Sequence, residues 1–124
     1  MEVNGARLLD LYAMSAQAAS DGDIGPVWSL SSPDLNVNLL RFSTGDGVAS
    51  HVNAEVDVIG LVVAGEGVLA LNGHEEPLRA GMLFFVPKGA ERAIRATSAE
   101  LVYLTCHRRR AGLMPTRART RTER

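Results

Sequence analysis

An all-β domain is the fold class this sequence predicts, and three observations predict it. Apolar residues recur with a period of two from Trp28 onward. Turn signals follow at spacings of roughly 8 to 12 residues, the interval of sandwiches and barrels. No helical segment lies between the strands, which argues against a parallel α/β sheet.

The composition agrees. A chain of 124 residues, 46% hydrophobic and 22% charged, has the size and mix of one globular domain with a core of its own. Aromatic residues make up only 5%, so Val, Leu, Ile and Ala must build that core. The single cysteine, Cys106, excludes an internal disulfide framework, and its run LVYLTCH suits a buried, inert thiol. No run reaches the roughly 18 apolar residues of a membrane-spanning helix, and the N-terminus lacks a basic-then-apolar signal pattern. The expectation is a cytoplasmic protein without a membrane partner. The net charge of -1 hides an asymmetry, because seven of the thirteen basic residues fall between Arg108 and Arg124. With Glu123 that tail, residues 108–124, carries +6 and leaves -7 for residues 1–107. It is expected to be disordered and solvated. An acidic body, and a tail whose arginines alternate with no aromatic residue, argue against nucleic acid as a partner.

Taken in order, residues 6–19 (ARLLDLYAMSAQAA) contain good helix formers and predict a helix ending before Asp21 and Gly22. The alternative is an N-terminal strand swapped across a dimer. Residues 20–26 are loop chemistry. Val27 to Leu30 and Leu35 to Phe42 read as strands separated by the turn at Ser31, Ser32, Pro33 and Asp34. In the second, Asn36, Asn38 and Leu40 share a face. Exposure on an outer face is the ordinary place for Asn, whereas in a closed barrel the two amides would line the interior and need partners.

The stretch from Gly45 to Gly67, GDGVASHVNAEVDVIGLVVAGEG, concentrates the polar residues able to do chemistry. His51, Asn53, Glu55 and Asp57 are spaced by two, so in extended chain they share one face and Val52, Val56 and Val58 the other. Asn53 has a second role open to it, satisfying turn backbone, and Glu55 is expected in solvent. Val68 to Leu71 is a strand, Asn72 with Gly73 is a strong hairpin signal, and His74 to Pro77 continues the turn with His74 exposed. Met82 to Val86 (MLFFV) reads as a fully buried strand. Two last strands, Arg92 to Ala96 and Leu101 to His107, are divided by Thr97 to Glu100. His107 shares parity with Tyr103 and Thr105, but the chain leaves it into Arg108, Arg109 and Arg110, so His107 is expected at the surface. Gly65, Gly67, Gly73, Gly81 and Gly89 are read as turn glycines, since no helix start follows them.

The Gly45 to Gly67 stretch resembles the first cupin motif, and GMLFFVPKGAER from Gly81 to Arg92 resembles the second. The resemblance covers residues 35–107. It implies a double-stranded β-helix, a jelly-roll barrel preceded by an N-terminal segment (residues 1–34), usually a homodimer in small bacterial members, with a small-molecule pocket in one mouth. In metal-binding members, histidines and a glutamate of the first motif and a histidine of the second hold iron, manganese, nickel or zinc. Here His51 stands at the first ligand position, Asn53 at the second, Asp57 at one of the two carboxylate spacings, and Arg92 at the second-motif histidine. A guanidinium has no lone pair for a metal. The sequence therefore points to a metal-independent or weakly metal-binding pocket for a small polar or anionic molecule contacted by His51, Asn53, Asp57 and Arg92. Two alternatives remain: a metal-dependent oxygenase or isomerase using His51 and Asp57, and a structural or regulatory dimer without ligand. Asp57 is also positioned in sequence to pair with Arg92.

Overall fold

The computed structural model describes residues 2–3 and 5–109. The tail beyond Arg109, expected to be disordered, lies outside the described residues. Two short strands, β1 (Glu2–Val3) and β2 (Ala6–Arg7), pair with each other and with no other described strand. Then comes helix α1, Leu11–Asp21. It starts later than expected because Asp10 caps it, its carboxylate accepting from the Ala13 N–H at 3.0 Å. It stops where Gly22 turns left-handed at φ 72° and the N–H groups of Gly22 and Asp23 close onto Ala19 and Ala18. Leu11 and Met14 pack on Leu39, Val63 and Val102, which seats the helix on the outside of the sheet. No described helix is long and apolar enough to cross a membrane.

Seven strands follow: β3 (Gly25–Ser31), β4 (Leu35–Ser43), β5 (Gly47–Val52), β6 (Val58–Leu71), β7 (His74–Arg79), β8 (Leu83–Val86) and β9 (Glu91–Arg108). All pair antiparallel. Two of them, β6 and β9, are long enough to serve two layers. Val58 to Gly65 of β6 and Glu100 to Arg108 of β9 pair with β8 and β4, and β4 pairs with β3. Glu66 to Leu71 of β6 and Glu91 to Arg95 of β9 pair with β7 and β5. The layers face each other, because one core cluster joins Leu40, Val62 and Leu101 of the first to Leu69, Leu78 and Ile94 of the second. This is the jelly-roll barrel.

Several local expectations change. His74 to Pro77 is strand, not turn, since Asn72 (φ 51°) and Gly73 (φ 80°) complete a two-residue hairpin by themselves and Leu71 already faces His74. The MLFFV run is not fully buried. As an edge strand paired among the described residues only to β6, β8 turns Val86 inward and leaves Leu83 63% and Phe85 51% exposed, with Ile59 beside Phe85. Cys106, next to Ile59 on that outer face, is half-buried. Thr97 to Glu100 does not separate two strands. It is the corner of one strand, where Ala96 faces Gly67 and Leu101 faces Gly65, so four residues of β9 are accommodated opposite Glu66. Ser98 pins this corner, its hydroxyl accepting from the Glu66 N–H at 2.8 Å and donating to the Glu100 carbonyl at 2.6 Å.

The corner needs glycine twice, for different reasons. Gly65 has φ 80°, and a Cβ there would run into the Glu100 carbonyl oxygen. Gly67, expected in a turn, is instead a close approach: its Cβ would meet the Arg95 carbonyl and the Leu101 side chain.

Two outcomes are expected in thermal denaturation. Asp10→Ala removes the helix cap and costs about 1 kcal/mol, lowering Tm by a few degrees, whereas Asp34→Ala as a surface control leaves it close to wild type. Gly73→Ala, with open space around its Cβ, costs the left-handed backbone penalty of about 1–3 kcal/mol. Gly65→Ala carries that penalty plus the clash with Glu100 and melts well below it; equal melting temperatures would contradict the close approach.

Candidate functional site

Between the layers lies a small cleft, with about 30 Å³ of room for the centres of solvent-sized groups. Its apolar wall includes Val58, Leu69, Phe84 and Val86, and its polar groups come from His51, Arg92, Tyr103 and Thr105. Arg92 is the second residue of β9 and, by alternation, shares the inner face with Ile94 and Ala96. It is 6% exposed, a guanidinium carried into the barrel.

His51 reaches the same cleft because β5 is irregular. The register with β9 slips between Val48, opposite Ile94, and His51, opposite Arg92. Ala49 and Ser50 stand opposite the single residue Ala93, one residue in excess, and a bulge of this kind re-aims the residue after it. Val48 and His51 therefore both line the cleft although three positions apart. Within the bulge His51 Nδ1 lies 3.0 Å from the Ala49 carbonyl oxygen, and its Nε2 lies 3.0 Å from Arg92 Nε. Arginine only donates. Nε2 is thus the lone-pair nitrogen, and Nδ1 carries the proton and donates to Ala49. The ring is a neutral acceptor that orients the guanidinium, and the pair presents one fixed positive charge to an apolar cleft.

The strict alternation expected through Asp57 ends with β5 at Val52. Val52 is exposed, while Val56 and Val58 are buried, and Val58 lines the cleft together with His51. The reason is the corner at residues 53–57, which Asn53 organises. Its side-chain oxygen accepts from the Glu55 and Val56 N–H groups at 2.9 and 3.3 Å, and its carbonyl accepts from Gly89 N–H at 2.7 Å. Asp57 is exposed and accepts from Lys88 N–H at 2.8 Å, so the anticipated pairing with Arg92 is not formed. Asn53 and Asp57 tie the first-motif corner to the second-motif turn, and neither lines the cleft; Glu55 is exposed. Of the four anticipated contacts, the structure brings His51 and Arg92 together.

These positions do not fit a divalent cation. The His51 lone pair is directed at Arg92, the guanidinium repels a cation, and the Asn53 oxygen already accepts two backbone bonds. Among the described residues no group of three or more His, Cys, Asp and Glu could hold a metal ion.

The last strand contributes what sequence reasoning set aside. Tyr103, Thr105 and His107 are all buried, at 3%, 3% and 7% exposure, and His107 is not at the surface. The parity it shares with Tyr103 decides its direction, while the basic run turns away at the next residues. Arg108 donates to the Glu55 carbonyl oxygen at 3.2 Å, and Arg109 to Ser31 and Ser32. Tyr103 is held between aromatic rings, stacked on Phe42 at 6.2 Å and edge-on to Phe84 at 6.0 Å. Register places Asn38 opposite Thr105 and Asn36 opposite His107, on the same face as core Leu40. The two half-buried amides therefore belong to the inner face, and their oxygens accept from the Ser29 and Ser31 hydroxyls at 2.6 and 2.8 Å.

Comparison with known proteins places this architecture. An uncharacterized protein of Aquifex aeolicus (strain VF5) is 34% identical over 73 residues, which cover 59% of this chain and 59% of that protein. The crystal structure of TT1209 from Thermus thermophilus superposes with a TM-score of 0.68 at 24% identity, over 83% of this chain and 97% of that one. The structure of KdgF from Halomonas sp. gives a TM-score of 0.63 at 24% identity, over 70% and 81%. At such identities the likeness to the solved structures is one of fold. Residues 38–107, more than half of the chain, match the Cupin domain family, and the chain belongs to that family.

Proposed function

We propose that this cupin binds a small anionic molecule, of which a carboxylate is the simplest form, in the cleft between its two layers. The observation that carries the reading is the direction of Arg92. A fixed positive charge lines an otherwise mostly apolar cleft, oriented through its Nε by a neutral histidine. In such surroundings a guanidinium attracts an anion more strongly than it would in water, and its planar fork matches carboxylate geometry. The room in the cleft, about 30 Å³, is far below that of the about 300–1,000 Å³ pockets that take drug-sized ligands. This favours a molecule of few heavy atoms.

The test is thermal denaturation with formate, acetate, butyrate and, as a neutral control, butanol. At tenfold the Kd a ligand adds about 1.4 kcal/mol, which raises Tm by roughly 4–6 °C in a domain of this size. Wild type is expected to respond to at least one carboxylate and not to butanol, and Arg92→Gln to lose the response. His51→Gln keeps an acceptor and is expected to retain part of it. Carboxylate shifts unchanged in Arg92→Gln, no shift in wild type, or a stoichiometric divalent ion that is lost in His51→Ala would each overturn the reading.

A further inference from the structure

Thr105 stands in the layer opposite the Arg92 half of β9, and it lines the same cleft. It is 3% exposed, and among the described residues its hydroxyl has no hydrogen-bond partner. Its register neighbours do not supply one. On one side it faces Gly60, which has no side chain and over which the Phe84 ring lies. On the other it faces Asn38, whose oxygen accepts from Ser29 and whose amide makes no hydrogen bond to Thr105. A buried hydroxyl left in this state destabilises the fold, and a valine of the same shape would not carry that cost. An oxygen of a molecule in the cleft would satisfy it, since a threonine hydroxyl both donates and accepts.

We propose that Thr105 is a second recognition point, and that the ligand is a short carboxylate carrying a hydroxyl or carbonyl oxygen along its carbon chain. The proposal rests on the anion reading of Arg92. Arg92 and Thr105 are rooted in opposite layers and line one cleft, so a molecule that meets both carries two polar groups, and the Val58, Phe84 and Val86 side chains accommodate the carbon chain between them. Thr105 thereby decides between acids that differ only by an oxygen.

Calorimetric titration of butyrate, 2-hydroxybutyrate and 3-hydroxybutyrate into wild type, Thr105→Val, Thr105→Ser and Arg92→Gln tests this. Wild type is expected to bind one hydroxy acid about threefold to tenfold tighter than butyrate. Thr105→Val should lose that preference, bind butyrate as wild type does, and melt about 2–4 °C higher without ligand; Thr105→Ser should keep the preference. Arg92→Gln should bind none of the three. If wild type binds butyrate and both hydroxy acids equally, or if Thr105→Val keeps the preference or weakens butyrate, the second recognition point is overturned and the anion reading stands. If wild type binds no acid, both fall.

Discussion

The pairing of β6 with β9 is the contact on which the barrel depends. Its eleven register pairs run from Ile59 opposite Cys106 to Leu71 opposite Arg92, through both layers. Each other strand of the barrel attaches to one of these two or, in the case of β3, to a strand that does. The bend at Gly65 and Gly67 turns one ladder into two facing sheets, and the residues it brings face to face are the core and the cleft. Arg92 lies at one end of that ladder and Thr105 near the other, so the bend that makes the fold also sets the two polar groups across from one another.

Within the cleft the electrostatics are set by two neighbouring strands. A guanidinium taken out of water carries a desolvation cost of several kcal/mol unless its donors are met. His51 meets one of them, and it does so only because the bulge of β5 turns its ring inward. The histidine that a metal site would use as a ligand has become the acceptor of an arginine. Asn53 and Asp57 remain nearby in sequence but work on backbone, holding the Pro87 to Gly89 turn against the corner. One stretch thus supplies a charge-orienting residue and its own scaffold.

Period-two patterning, Asn72 with Gly73, and the two glycine-flanked motifs were enough to read the barrel, because those signals are local. Arg92 was readable as an inward residue only through its motif position. The bulge was not readable at all, since nothing in Gly47 to Val52 distinguishes a regular strand from one with excess residues until β9 is placed beside it. The same limitation explains β8: an apolar run reads as buried from composition, but exposure of Leu83 and Phe85 depends on a missing neighbour strand, a property of the sheet. Thr105 and His107 were within reach by parity with Tyr103. The adjacent arginines outweighed that parity, although Arg108 and Arg109 are able to turn outward one residue later.

The placement of β9 has a consequence for how the protein is made. As the last described strand it supplies partners to β4, β5 and β6, so on a ribosome the layer of β5, β9, β6 and β7 waits for residues 91–96, and β4 stays unjoined to β6 until residues 100–108 follow. Until then β4 and β6 lack a neighbour each, with Leu39, Leu40 and Val62 uncovered. Sequence-distant pairing of this sort closes slowly and leaves apolar edges open meanwhile. Truncation just before Arg92 would not leave a smaller barrel, because β4, β5 and β6 would all lose the strand they pair with.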